Sequence, residues 1–358
     1  MARSKPVTSH EVARLAGVSQ PTVSRALRDG PGVSEETRRR VRDAARALGY
    51  VPLQSGRSLS TRRTGRVGIV AAELANPFYP VLVGALHDAL DRANYGTILF
   101  TDRGQTPHEM EALLDGSLDG VVLTTCRTSS PLPAELAARG IPFVLLNREV
   151  DEADADVCVV DNRSGAREVA SLLADLGHRT IAGVMGPAST STGREREAGF
   201  RDGLAERGLT LPPRYIRRGE FSPDTGYRAL AELIAETPAP TAVFCGNDVI
   251  AMGICNAARA LGIRIPQDLT VIGFDDIPMA RWEVFELTTV QSDLTRLAAA
   301  TADLLSRRIA DPAGNRRRVV LAAHLVLRGT HAAAPPRPHR PTEPSARRTA
   351  EHAQEEGR

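Results

Sequence analysis

A chain of 358 residues, 42% of them hydrophobic, can bury a large core and hold more than one domain. It shows no apolar run long enough to span a bilayer and no signal-peptide core at its start, which points to a cytoplasmic protein with no membrane partner. The net charge of +2 hides an asymmetry: Met1 to Arg66 carry 14 Lys and Arg against 5 Asp and Glu, and the remainder carries 31 against 38. A basic head on an acidic body is the electrostatic footprint of a domain that meets phosphates.

The head begins with V-T-S-H-E-V-A-R-L-A-G-V-S-Q-P-T-V-S-R-A-L from Val7 to Leu27. Thr8 and Glu11 stand at capping-box spacing, and Val12, Ala13, Leu15 and Ala16 form an apolar stripe at helical spacing. Gly17 suits the left-handed backbone of a sharp turn, Ser19 caps a second helix, and Pro21 sits in its first turn. Val23, Ala26 and Leu27 face inward. Gln20, Pro21, Thr22, Ser24, Arg25 and Arg28 remain on the open face, the layout of a helix-turn-helix whose second helix enters a major groove. Two short helices around a glycine also occur in proteins that never touch nucleic acid; the arginines, the N-terminal position and the local charge favour DNA. A third helix fits Ser34 to Leu48, with Arg38, Arg39, Arg40, Arg42 and Arg46 either solvated or within reach of phosphates. Residues 1–52 therefore read as a DNA-binding domain and the polar, basic 53–66 as a linker, in which Leu59 is a lone apolar residue.

From Val67 short β-rich runs alternate with amphipathic helices. Strands are expected at V-G-I-V-A-A, G-T-I-L-F-T, D-G-V-V-L-T-T and I-P-F-V-L-L-N, with helices at 81–93, at 107–114 and before Gly140. A second series follows: helices at 164–176, 194–207, 223–236 and 248–261, and strands at T-I-A-G-V-M, near Tyr215, at T-A-V-F-C-G and at T-V-I-G-F-D. Two β-α-β series imply two doubly wound parallel-sheet lobes, and such sheets bind ligands beyond the carboxyl ends of their strands. Asn76, Asn147 with Arg148, Asp161, Asn247 with Asp248, and Asp275 with Asp276 fall at those ends, joined by Phe78, Tyr79 and Phe221 in a chain with few aromatics. Each alone could be a cap or turn residue, and Asp248 reads as the N-cap of its helix. Together they read as a ligand site in an inter-lobe cleft.

Cys126, Cys158, Cys245 and Cys255 are scattered without metal-ligand spacing and read as reduced thiols, so no metal and no cofactor are expected. There is no G-x-S-x-G, G-x-x-x-x-G-K-[ST] or G-x-G-x-x-G motif in the required context, which disfavours an enzyme and leaves no catalytic residues to name. A solute-binding protein is disfavoured by the basic head. Residues 331–358 lack apolar periodicity and are expected to be disordered.

In this order, V-A-R-L-A-G-V-S-Q-P-T-V-S-R-A-L, N-P-F-Y, G-R-E-R-E-A-G-F, C-G-N-D-V-I-A-M-G, V-I-G-F-D-D and L-T-T-V-Q resemble the lactose-repressor (LacI/GalR) type of bacterial transcription regulators, from about Val7 to Arg328. The resemblance implies an N-terminal all-α helix-turn-helix head and an α/β core of two lobes like those of periplasmic sugar-binding proteins. It places the core at 67–330, with lobe 1 at 67–162 plus 292–328 and lobe 2 at 163–291. It implies a homodimer on a pseudo-palindromic double-stranded operator, with repressor activity set by a small molecule, first a sugar and alternatively a nucleobase. It assigns Leu59 to a minor-groove wedge on a hinge helix that also carries Arg57, although Ser55 and Gly56 are poorer helix formers than relatives usually carry there. DNA contacts would then come from Thr8, Ser19, Gln20, Pro21, Thr22, Ser24, Arg25, Arg28, Arg57 and Leu59. The effector set would be Asn76, Phe78, Tyr79, Asn147, Arg148, Arg196, Phe221, Asn247, Asp275 and Gln291, with Asn147 standing where many relatives have Asp.

Overall fold

The computed structural model describes residues 7–27, 29–50, 63–101 and 107–335. Arg28, Arg57, Leu59, Gly56 and most of the expected hinge lie outside them, as does the tail beyond residue 335. The chain separates into two compact units, Met1–Gly65 with Ser117–Asp119, and Arg66–Gly116 with Gly120–Arg358.

Among the described residues, the first unit holds three helices: α1 (Ser9–Ala16), α2 (Gln20–Leu27) and α3 (Glu35–Ala47). Their core is Val12, Ala13, Ala16, Val23, Ala26, Val41, Ala44 and Ala45. The small side chains let short helices approach closely. Leu15, expected in this core, is instead 56% exposed. The stripe on an eight-residue helix is narrow, and Val12, Ala13 and Ala16 already fill it.

In the second unit, one all-parallel sheet contains β1 (Arg66–Val70), β2 (Gly96–Phe100), β3 (Gly120–Leu123), β4 (Phe143–Leu146), β5 (Asp156–Val160) and β11 (Arg318–Leu321), ordered β11-β5-β4-β3-β1-β2. Around it lie α4 (Phe78–Arg92), α5 (Pro107–Leu114), α6 (Leu132–Ala138) and α11 (Leu294–Ala310), which packs on α4. The other lobe carries β6 (Ile181–Met185), β7 (Ile216–Arg218), β8 (Ala242–Cys245) and β9 (Thr270–Ile272), parallel in the order β7-β6-β8-β9. Its helices are α7 (Asn162–Asp175), α8 (Ser191–Glu206), α9 (Pro223–Ile234) and α10 (Asp248–Leu261). A short antiparallel pair, β10 (Thr289–Gln291) with β12 (His324–Val326), lies where the chain crosses between lobes. The central strands are buried on both faces, as their near-continuous apolar runs require.

Three expectations need correction. The helix expected at 81–93 starts at Phe78, because Asn76 accepts the Phe78 N–H (3.1 Å) and Pro80 fits in the first turn. β5 and β11 appear where none was foreseen; β11 adds an edge strand to lobe 1 after α11. Residues 331–334, expected to be disordered, are tied to lobe 2. The Ala332 N–H donates to Thr270 Oγ1 (3.1 Å), the Ala332 carbonyl pairs with His178 Nε2 (3.0 Å), and the Ala334 N–H donates to the Leu176 carbonyl (2.8 Å). Backbone pairing orders this stretch without any side-chain periodicity.

Candidate functional site: a helix-turn-helix face and an inter-lobe cleft

In the head, the Thr8 N–H and hydroxyl both donate to the Glu11 carboxylate (2.7 and 3.0 Å) and fix the start of α1. Gly17 takes φ 65°, and its N–H closes α1 onto the Ala13 and Arg14 carbonyls. The Ser19 carbonyl accepts the Thr22 and Val23 N–H groups, and its hydroxyl meets that of Thr22 at 2.8 Å, so α2 starts as expected. On α2, Pro21 and Arg25 are exposed and Gln20, Thr22 and Ser24 half-buried, with Val23 and Ala26 inward. Several arginines of α3 hold the unit together: Arg40 donates to the Ala16 carbonyl (2.7 Å), Arg38 to the Gly30 carbonyl (2.9 Å), and Arg42 pairs with Asp29. α3 thus braces α1 and the turn after α2, which fixes the angle at which the open face of α2 is presented.

In the core, the expected polar residues lie just beyond the carboxyl ends of β1, β4, β8 and β9, and most are buried. Asn76, Phe78, Tyr79, Asn147, Arg148, Arg196, Phe221, Asn247 and Asp275 all fall below a tenth exposed. Gln291 differs: it is exposed and donates to Asp276 (3.0 Å), although its backbone bridges to Asp275.

Two guanidiniums organise the cluster. Arg196, on α8, donates to Asn162 Oδ1 (2.8 Å), the Gly246 carbonyl (2.7 Å) and Asp275 Oδ1 (2.8 Å), and stacks over the Phe274 ring at 3.8 Å. Burial pushes the Asp275 carboxyl up, against the pull of Arg196. Arg148 donates to the Thr125 carbonyl (3.1 Å) and pairs with Glu73 at 3.0 Å. Its guanidinium lies 5.7 Å from the Tyr79 ring of lobe 1 and 5.6 Å from the Phe221 ring of lobe 2, and its buried Nε has no partner among the described residues. Burial also pushes the Tyr79 phenol up, so it stays protonated. Phe221 in turn rests on Gly186, where a Cβ would lie 2.1 Å from the ring. Asn147, Asp275 and Asp276 hold left-handed backbones (φ 69°, 112° and 52°), strain of about 1–3 kcal/mol each of the kind functional loops carry.

Asp248 is not the N-cap of α10. Asn247 is, its Oδ1 accepting the Ile250 N–H (3.0 Å). Both are capping types one position apart, and Asp248 lies wholly buried in the first turn, accepting from the Ile277 N–H (2.9 Å) and the Thr289 hydroxyl. Burial, with Asp275 nearby, pushes its carboxyl well above the ordinary range. A carboxyl raised in the native state favours folding most below its unfolded pKa, and that contribution is lost as pH rises toward the native value. Asp248→Asn should therefore flatten the fall in melting temperature between pH 5 and pH 8. Asp248→Ala should cost about 1–3 kcal/mol for each partner left unpaired. Thermal melts of both variants across that range check the sign.

A clasp also crosses the rim. Arg194 of lobe 2 grips Asp151 of lobe 1 with two bonds (2.7 and 3.0 Å), and the Glu149 N–H donates to Ser191 Oγ (2.8 Å). The Thr128 N–H donates to the Ser189 carbonyl (2.9 Å), and Arg127 reaches Ser189 Oγ (3.3 Å) and Glu220 (3.9 Å). Sequence reasoning missed Glu73, Thr125, Asn162 and this rim. Asn162 had a signal, following Asp161 directly at the end of an apolar run; Glu73 had none beyond its place after β1.

Residues 8–53 match the family model described as bacterial regulatory proteins, lacI family, and residues 170–331 match the periplasmic binding protein-like domain. The chain is 34% identical to the HTH-type transcriptional regulator CelR of Thermobifida fusca, over 92% of this chain and 99% of that protein. It is 32% identical to the HTH-type transcriptional repressor PurR of Erwinia tasmaniensis, over 93% and 99%. Among solved structures it resembles a transcriptional regulator CelR–cellobiose complex (TM-score 0.70, 32% identity, 90% of this chain and 99% of that one). It also resembles the lac repressor dimer bound to operator and the anti-inducer ONPF (TM-score 0.83, 27% identity, 92% and 100%).

Proposed function

The chain belongs to the lacI family of bacterial regulatory proteins and is a DNA-binding transcriptional regulator, and on that premise we propose that it is a cytoplasmic homodimeric repressor whose operator affinity is set by a sugar held in the inter-lobe cleft. The observation that carries the sugar reading is the buried pairing of Arg196 with Asp275, together with the buried Arg148 guanidinium that lies 5.7 and 5.6 Å from the Tyr79 and Phe221 rings. Fork-like donors next to carboxylate and amide acceptors suit adjacent hydroxyls, and aromatic faces suit the apolar side of a sugar ring. The CelR relative is seen in complex with cellobiose, which favours a sugar over a nucleobase. The cleft binds; it does not turn over its ligand. Gln20, Pro21 and Arg25 face base edges, Thr22 and Ser24 lie nearer phosphates, and the hinge with Leu59 wedges the minor groove. A thermal-shift screen of cellobiose, ribose and hypoxanthine against the full chain tests the effector reading: a selective sugar raises the melting temperature by mass action, and stabilisation by hypoxanthine alone contradicts it.

Dimerisation gives two heads the spacing of two half-sites. On lobe 2, Tyr227 of α9, Leu261 of α10, and Trp282 and Val284 of the loop before β10 are large apolar side chains left 44–56% exposed. Exposed apolar side chains on one lobe suit an isologous interface, in which each mutation acts twice. Trp282→Ala is expected to remove about 2 kcal/mol per copy, weakening the dimer on the order of a thousandfold. Sedimentation equilibrium reads the dissociation constant, and an unchanged value moves the interface elsewhere.

A further inference from the structure

Every arginine described at the cleft and its rim is already balanced by a carboxylate. Inside, Arg196 pairs with Asp275 at 2.8 Å and Arg148 with Glu73 at 3.0 Å. At the rim, Arg194 pairs with Asp151 at 2.7 Å and Arg127 with Glu220 at 3.9 Å. The other usual seat for an anion, a helix N-terminus, is also taken up by the chain itself. Asn76 accepts from the first turn of α4, Asp161 from α7, Thr190 from α8 and Asn247 from α10. Of these caps, Asp161 brings a further negative charge. A ligand bearing phosphate or carboxylate would have to break one of the buried ion pairs or sit desolvated beside Asp275, and either is costly in a site this buried.

We propose that the cleft selects an uncharged polyhydroxylated effector, a free sugar, and rejects phosphorylated sugars, sugar acids and nucleotides, because its guanidiniums are spent on its own carboxylates. The inference rests on the reading of the cleft as the effector site. Hydroxyl groups add to such a frame without disturbing it, since each guanidinium keeps further N–H donors and each carboxylate further lone pairs. Specificity then comes from rejecting the wrong charge as much as from holding the right ligand.

The test is calorimetric titration of the full chain with matched pairs: glucose and glucose 6-phosphate, ribose and ribose 5-phosphate, together with cellobiose and hypoxanthine. A sugar that binds is expected to do so at least about 100-fold more tightly than its phosphate ester. Binding of hypoxanthine alone overturns the sugar reading and leaves the exclusion of anions standing. A phosphate ester that binds as tightly as its parent, with binding lost in Arg196→Ala, overturns the inference. Glu73→Gln leaves Arg148 unbalanced and is expected to tighten phosphate-ester binding at least about tenfold over wild type. Asp151→Asn, on the half-exposed rim, makes the same comparison at Arg194 without disturbing a buried group. Both variants refusing a gain while keeping the wild-type melting temperature would show that charge balance does not set the selectivity.

Discussion

Arg196→Ala is expected to abolish the effector's influence on operator affinity while leaving operator binding without effector nearly unchanged. The side chain holds Asn162, Gly246 and Asp275 in one frame. Truncation leaves the Asp275 carboxylate buried without its counter-ion, and losing one half of a buried pair costs about 3–5 kcal/mol. With the cleft read as proposed, the effector should lose the planar donor and the fixed acceptor together. The head folds around its own core of Val12, Val23 and Val41, so its DNA-reading face does not depend on this residue. Arg196→Lys keeps a charge but not the fork, and should weaken the response rather than erase it. Operator titrations by fluorescence anisotropy with and without cellobiose, beside thermal melts, separate a lost response from a lost fold. A normal response in a folded Arg196→Ala protein would remove Arg196 from the effector site.

Arg25→Ala is expected to cost the cognate operator about 1–3 kcal/mol per half-site, hence about 2–6 kcal/mol for a dimer, with little effect on random DNA. Arg25 lies exposed on α2, its Nε only loosely held by the Pro21 carbonyl at 3.4 Å, so its guanidinium can reach outward. A contact to a base edge discriminates between sequences, whereas a phosphate contact lowers affinity for all of them and reduces the salt slope. Competition binding on operator and random duplex at one salt concentration distinguishes the two. Equal losses on both would assign Arg25 to phosphate. Arg40→Ala should look different again: its bond to the Ala16 carbonyl braces α3 on α1, so it should lower the stability of the head first.

The head and the two lobes were legible because their signals are local. Capping at Thr8 and Ser34, the turn at Gly17 and the period-3.6 stripes need no knowledge of distant residues. Leu15 misled because an isolated eight-residue stripe does not say how wide a face its neighbours will cover. β5 escaped notice because A-D-V-C-V-V is short and runs straight into the cap of α7 at Asp161. β11 and residues 331–334 were hidden because their order comes from backbone pairing with partners far away in sequence. In the cleft, the strand-end rule gave Asn76, Asn147, Arg148, Asn247 and Asp275 with the aromatics Phe78, Tyr79 and Phe221, while Arg196 and Gln291 came from the family resemblance; all of these but Gln291 are buried. Their pairings did not follow. Arg148 and Glu73 stand on different strand ends, and only the β4-β3-β1 order brings them together. Asp248 shows the same limit: a cap and a buried hub share one residue type, and only burial tells them apart.

One chain couples a small-molecule ligand to DNA binding. The most direct test is an operator titration of the 358-residue chain, on a duplex enriched by selection from random sequence, repeated across cellobiose, ribose, glucose and hypoxanthine. The enriched duplex should be pseudo-palindromic, and one sugar should shift the operator dissociation constant by about 5–150-fold, the range of ordinary allosteric coupling. An operator affinity that stays flat across a sugar shown to bind the cleft would contradict the account.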